Sequence, residues 1–189
     1  MKQDAVLRAL VICLDENTAK RVLALLPEEI SPICCKTAPE SMPVLERGDA
    51  ELVIAVEPFA QDVDGRLLPT LLKEERICLL LLTENEAPRP MLTEQGVLVL
   101  PCSAPDFLMQ QAVQLLIATR RKLRKLESRA AMLEAHVEEV RLINRAKLLL
   151  VQQLKMTEAE AHRYIEKQAM DTCRKRRAVA ENIIRTYET

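Results

Sequence analysis

Proline and glycine stop abruptly in this chain. All ten prolines and all three glycines fall within the first 105 of its 189 residues. Pro removes a backbone N–H and clashes with the preceding helical turn, and Gly carries the largest backbone entropy cost, so these two are the strongest local interrupters of helix. The long remainder has neither, and it is rich in Ala, Leu, Glu, Lys and Arg. It is predicted to be wholly helical. Charge divides at nearly the same place: residues 1–110 carry 10 basic against 18 acidic side chains, and residues 111–189 carry 17 against 10. An acidic front of mixed structure leads into a basic, helical back.

Several classes of protein are excluded at this point. The chain has no apolar run of 18 or more residues and no charged-then-apolar leader, so no membrane partner is expected and the location is expected to be cytoplasmic. The six cysteines form no CxxC pair and are accompanied by only two histidines, which suggests neither a metal site nor a redox motif. They are read as reduced, mostly buried small hydrophobes. No nucleophile–base pair and no phosphate-cradling Gly loop is visible, so neither an enzyme nor a cofactor is expected. With 49% apolar residues, no Trp, two Tyr and two Phe, the core must be aliphatic.

In the front half the apolar signal comes as short unbroken runs, the pattern of strands buried on both faces of a parallel sheet. The runs are Leu7–Leu14, Leu52–Val56, Ile77–Leu82 and Val97–Leu100, with a short further strand through Pro32–Lys36. Helical spacing separates them over Thr18–Leu26, Ala38–Arg47, Leu67–Lys73 and Pro88–Gln95, and another helix starts near Asp106. Alternation of this kind predicts an α/β fold, a doubly wound sheet of about five strands, whose ligand site lies at the strand carboxyl ends.

The strand ends read ALVICLDEN, ELVIAVEP with DVDG downstream, LLLLTE and LVLPCS. Over about residues 6–118 this resembles a response-regulator receiver domain of the flavodoxin-like, CheY-like fold. The resemblance implies a phosphorylation pocket at Asp15, Glu16, Val56, Glu57, Thr83 and Leu100. Aspartyl phosphorylation needs paired carboxylates for Mg²⁺, an Asp nucleophile and a Lys for the phosphoryl oxygens. Here the first acidic position is Leu14, the acceptor falls on Val56 or Glu57, and the Lys position is Leu100. The reading is a pseudo-receiver that takes up no phosphate. The alternative for Asp15 and Glu16 is a helix cap, for Thr83 an ordinary strand-end hydroxyl, and for Glu57 a solvated loop carboxylate.

From Leu116 the apolar residues settle into heptad spacing at Leu116, Leu123, Leu126, Ala130, Leu133, Val137 and Val140, with Thr119 the polar exception. Arg120, Arg121, Lys122, Arg124 and Lys125 crowd the other faces near the start of this stretch. The expectation is a parallel homodimeric coiled coil, with Leu116, Leu123, Leu126, Leu133, Val137 and Val140 in the seam and Asn144 at its end. The alternative is a long helix whose stripe packs on the chain's own domains. Residues 1–115, 116–140 and 141–189 are the expected divisions.

Beyond Val140 three helices are predicted: one continuing to about Leu154, one opened by the capping box Thr157–Glu160, and one carrying Ala180, Ile183 and Ile184. The stretch RLINRAKLLLVQQLKMTEAEAHRYIEKQAMDTCRKRRAVAENII closely resembles the ANTAR domain of bacterial antitermination regulators of the AmiR and NasR type, the matching positions including Ile143, Ala146, Lys147, Leu150, Glu158, Ala161, Tyr164 and Ile165. The resemblance implies an RNA partner: a dimer that binds paired hairpins in a nascent leader transcript and blocks an overlapping terminator. Cations suited to phosphate are Arg141, Arg145, Lys147, Lys167, Arg174, Lys175, Arg176 and Arg177, with Arg145, Lys147, Arg174 and Lys175 foremost. Tyr164 is the candidate for stacking on an unpaired base, and Gln168 and Asp171 are the candidates for reading base edges. The alternative for the charge run is a solvated helix face, and for Tyr164, at helical spacing from Ala161 and Ile165, a packing role in the core. Two other readings stand beside this one: a DNA-binding regulator using the same basic helices, and a signalling adaptor that binds a regulatory protein partner.

Overall fold

The computed structural model describes residues 6–59, 61–84 and 90–188. Its first compact unit is Met1–Arg124 and its second is Lys125–Thr189. In the first, five strands, β1 (Arg8–Ile12), β2 (Ser31–Cys35), β3 (Leu52–Val56), β4 (Cys78–Thr83) and β5 (Leu98–Pro101), form one sheet in the order β2-β1-β3-β4-β5. Every pairing is parallel, with Leu10 opposite Val53, Ile54 opposite Leu80, and Leu82 opposite Leu100. This is the flavodoxin-like order, in which the chain reverses direction across the sheet between β1 and β3.

The unbroken apolar runs are explained by two cores, one on each face. Ala9, Val11, Leu52, Ile54, Leu80 and Leu82 point to one side, where α1 (Glu16–Ala24) and the start of α5 (Asp106–Leu154) supply Val22, Met109, Val113 and Ile117. Leu10, Ile12, Val53, Ala55, Leu79 and Leu81 point to the other, against Val44 and Leu45 of α2 (Ala38–Glu46), Leu67 and Leu71 of α3 (Leu67–Lys73), and Leu92 of α4 (Pro90–Glu94). The helix expected over Pro88–Gln95 is seen from Pro90; residues 85–89 lie outside the described part. Asp15 starts α1 two residues ahead of the expected Thr18 by accepting the Thr18 N–H at 2.7 Å. At the other end of α2, Gly48 takes the left-handed conformation that turns the chain toward β3, with its N–H on the Leu45 carbonyl.

Helix α5 runs unbroken for 49 residues. Its heptad stripe does not have one job. Met109, Ala112 and Leu116 are sealed in the first unit's core, whereas Leu126 and Leu133 are 50% and 66% exposed. Leu116, expected as the first seam position, is therefore a core residue of the receiver-like unit. The spacing alone did not separate the two roles, because a stripe covered by its own sheet and a stripe awaiting another helix have the same sequence pattern.

The basic cluster at residues 120–125 is also divided by packing. Arg120 is 2% exposed, and its Nε donates to Glu51 Oε2 at 2.5 Å. Arg124 donates to the same oxygen at 2.7 Å and also bonds Glu51 Oε1. Burial pushes the Glu51 carboxyl up, but the two guanidinium groups outweigh it and hold the carboxyl below its usual range. Glu51 precedes β3, so this ion triad fixes α5 to the end of the sheet opposite the strand carboxyl ends.

The second unit contains the end of α5, then α6 (Glu158–Asp171) and α7 (Arg176–Tyr187). Its core is Ala146, Leu150, Ala161, Ile165, Ala169, Val179, Ala180 and Ile183. Alanines at three of the most buried places let the helices approach closely. The capping box is formed: the Thr157 N–H donates to Glu160 Oε2 at 2.8 Å, and the Glu160 N–H donates to Thr157 Oγ1 at 3.3 Å. Without glycine, the left-handed positions after α5 and α6 are taken by Lys155 and Cys173. Cys173 sits in a Schellman turn in which the Arg174 N–H bonds the Ala169 carbonyl at 3.0 Å. Among the described residues no helix is long and apolar enough to cross a membrane.

Replacing Glu51 with Ala removes the carboxylate that pairs with both Arg120 and Arg124 and is expected to destabilise the first unit by about 3 kcal/mol, measured by urea unfolding of the full chain. The carboxyl's lowered folded value means that its stabilisation is present above the ordinary carboxylate range and is lost as pH falls through that lowered value. The stability gap between wild type and Glu51→Gln is therefore expected to close in strong acid.

Candidate functional site

The strand carboxyl ends of the first unit carry the residues expected in a receiver's pocket, but their side chains are otherwise engaged. Asp15 caps α1, and the backbone N–H of Thr18 holds its carboxyl below the usual range. Glu16 pairs with Lys36 at 2.8 Å, and that ammonium lowers it in turn. The capping alternative thus describes Asp15. Val56 is half-buried and packs with the first core, and the N–H of Glu57 extends the β3–β4 ladder to the Leu82 carbonyl at 2.8 Å. Thr83 is buried at the end of β4, and Leu100 is half-buried on β5.

A cation does reach this region, from α1 and not from β5. Arg21 donates Nε to Asp106 Oδ1 at 2.6 Å, and its two terminal nitrogens donate to the carbonyls of Cys102 at 2.9 Å and Ala104 at 2.5 Å. It staples α1 to the loop between β5 and α5. No feature of the sequence singled it out, since its partners lie more than 80 residues away. Burial pushes the nearby Cys102 thiol up. Among the described residues no three His, Cys, Asp or Glu side chains converge as a metal-binding cluster.

In the second unit the candidate cations divide into two sets. Arg145 donates Nε to Glu188 Oε1 at 2.6 Å, and Lys147, with its side chain only 16% exposed, pairs with Glu158 at 2.9 Å. Arg177 pairs with Glu181 at 2.8 Å, Arg176 lies 3.8 Å from Glu166, and Arg141 lies 3.9 Å from Glu138. Two of the four foremost cations, Arg145 and Lys147, thus clasp the last helix and the start of α6. Lys167, Arg174 and Lys175 are exposed, and no ion pair engages them among the described residues. Lys175 stands at the N-cap of α7, and Asp171 is the exposed last residue of α6.

Between α6 and α7 lies a groove of about 210 Å³. Tyr164, Gln168 and Thr172 line it from α6 at i, i+4, i+8 spacing, Arg174 enters from the turn, and Asn182 and Tyr187 line it from α7. Three of the expected contact residues, Tyr164, Gln168 and Arg174, are therefore brought together. Tyr164 shares the groove with a second aromatic that the sequence did not single out, Tyr187. The signal was available in its 3–4 spacing from Ile183 and Ile184, which places it on the inner side of α7. Thr172 and Thr186 turn their hydroxyls back to the carbonyls of Gln168 at 2.6 Å and Asn182 at 2.9 Å. The amides of Gln168 and Asn182 make no hydrogen bond among the described residues.

A family model described as the ANTAR domain matches residues 131–184. The transcriptional regulatory protein PdtaR of Mycobacterium tuberculosis, in two strains, is 35% identical over 92 residues, a match covering 49% of this chain. It covers only 44% of that relative's length. The chemotaxis response regulator CheY4 of Vibrio cholerae superposes with a TM-score of 0.51 at 10% identity, covering 59% of this chain and 99% of that one. The signal receiver domain of an HD domain-containing protein from Pseudomonas fluorescens Pf-5 gives 0.52 at 17% identity, covering 61% and 98%. At such identities the likeness is one of fold. The chain therefore joins a domain of response-regulator receiver fold to an ANTAR domain at residues 131–184.

Proposed function

We propose that this protein is an RNA-binding transcription antitermination regulator that works as a dimer, each copy holding a hairpin of a nascent leader transcript so that an overlapping terminator cannot form. The observation that carries the reading is the coincidence of the ANTAR match with the unit whose exposed cations Lys167, Arg174 and Lys175, in no ion pair among the described residues, accompany a groove lined by two tyrosines. Cations supply phosphate affinity without sequence preference, while aromatic and amide groups read bases that a loop leaves unstacked. Antitermination then needs no chemistry. Binding stabilises one RNA pairing, and the competing one is lost by mass action.

Dimerisation is supported by the stripe at Leu123, Leu126, Leu133, Val137 and Val140, all exposed in the single chain. Large apolar side chains repeated at heptad spacing on an otherwise charged helix are what a second identical helix would bury. A dimer presents two RNA-binding units on one molecule, which matches paired hairpins and raises the effective concentration for the second contact. The receiver-like unit, in this reading, takes no phosphate. Asp15 is a cap, Glu16 is salt-bridged to Lys36, and Leu100 stands where a phosphate-binding Lys is needed.

Three outcomes are expected. Lys167→Ala and Lys175→Ala each weaken binding to a leader hairpin and lower the salt slope by about one in gel-shift titrations, whereas Arg145→Ala acts chiefly on stability through the lost Glu188 pair. The double variant Leu126→Lys, Leu133→Lys sediments as a monomer at tens of micromolar while wild type sediments as a dimer. Treatment of the protein with acetyl phosphate and Mg²⁺ leaves its mass unchanged, and a gain of one phosphoryl group on Asp15 or Glu57 would overturn the pseudo-receiver reading.

A further inference from the structure

We infer that the groove between α6 and α7 is a subsite for one unstacked nucleobase of the bound RNA loop, with Tyr164 and Tyr187 as stacking surfaces and Gln168 and Asn182 reading the base edge. The inference rests on the RNA-binding reading and goes beyond it by naming the pocket and the residues that set specificity.

Four observations converge on a base. The first is size: at about 210 Å³ the groove is smaller than sites for drug-sized ligands, which begin near ~300 Å³, and it suits a single flat ring system. Aromatic content is the second. The chain has only two tyrosines and no tryptophan, and both tyrosines line this one groove. Tyr187 is half-buried with its inner side against the second core. Tyr164 remains 37% exposed, so ring surface is available to a ligand.

The third observation concerns hydrogen bonding. The hydroxyls of Thr172 and Thr186 are spent on their own helices, but the amides of Gln168 and Asn182 are not committed to any partner among the described residues. A side-chain amide offers a donor and an acceptor side by side, the arrangement that recognises a base edge. The fourth is charge. Arg174 lines the groove without an ion pair among the described residues, and Lys175 follows it at the N-cap of α7, so a phosphate adjoining the bound base finds cations at the rim. Among the described residues no carboxylate lines the groove. A neutral, amide-bearing pocket with a cationic edge fits a nucleotide better than it fits an acidic peptide, whose side chains would leave the tyrosines unused.

The scarcity of aromatics makes the site directly observable, because the intrinsic tyrosine emission of the full chain comes only from Tyr164 and Tyr187. The probe is a stem–loop RNA recovered by the full-length protein from a pool with a randomised loop, then remade with an abasic nucleotide at each loop position in turn. Free tyrosine titrated with the same RNA corrects for absorption. Saturation with the intact RNA is expected to quench the tyrosine emission, and one abasic position is expected to abolish the quench and weaken binding by about tenfold or more. Gln168→Ala is expected to weaken the intact RNA by a similar factor and to leave the affinity for that abasic RNA unchanged; Gln168 is half-exposed, so the fold is retained. Tight binding with unchanged tyrosine emission, and with no loop position mattering more than the others, would overturn the subsite and leave the RNA reading intact. Failure of the pool to yield any bound RNA would overturn both.

Discussion

The apolar stripe of α5 meets three different environments along one helix, buried at each end and exposed between, and the organisation of the chain follows from that division. Met109, Ala112 and Leu116 face the sheet and complete a core with Val11, Ile54 and Leu80. Leu123 to Val140 face outward. Ala146 and Leu150 close the core of the second unit against Ile165 and Ala180. Tertiary packing of the apolar side supplies most of a helix's stability, and the middle segment is the one that the single chain leaves uncovered. The absence of Pro and Gly beyond residue 105 is what allows a single helix to serve all three segments.

Charge is partitioned by the same logic. The basic excess of the back half looks like a broad electrostatic surface, yet much of it is internal to the fold. Arg120 and Arg124 are drawn down onto Glu51, and Arg145 and Lys147 are held by Glu188 and Glu158. Desolvating Arg120 requires a carboxylate beside it, because an isolated buried guanidinium costs several kcal/mol. The exposed cations without an ion pair among the described residues are fewer than the composition suggests, and Lys167, Arg174 and Lys175 at and near the α6–α7 turn are among them. That turn is held by Cys173 in a left-handed conformation that costs about 1–2 kcal/mol for an L-residue, a local strain that the Schellman hydrogen bonds and the core beside it must offset.

The receiver-like unit keeps the architecture of its fold, with Val56 at the end of β3 and Leu100 on β5. Asp15 and Glu16 are acidic, as at a receiver's opening, but their oxygens are taken up by the N–H of Thr18 and by Lys36. Arg21 stitches α1 to the β5–α5 loop through Asp106 and two carbonyls. A cation so engaged with the chain's own acceptors stabilises the loop and is not available to an incoming anion.

Local sequence determined a good deal. Short unbroken runs such as LVIAV and CLLLLT, alternating with segments of helical spacing, are the pattern of strands buried on both faces, so the parallel sheet, its five strands and the helices between them were legible within a residue or two. The capping box at Thr157 placed α6 for the same reason: its hydrogen bonds join residues three apart. Heptad spacing likewise revealed the stripe. Tertiary structure decided what covers each part of that stripe, moving Leu116 from seam to core, and it decided which cations are free, because Arg120 meets Glu51 and Arg145 meets Glu188 across 69 and 43 residues. It also brought Tyr187 to Tyr164. Periodicity and capping act over a few residues and can be read along the chain, whereas ion pairing and groove formation depend on which surfaces meet when the helices pack, and no local pattern encodes that.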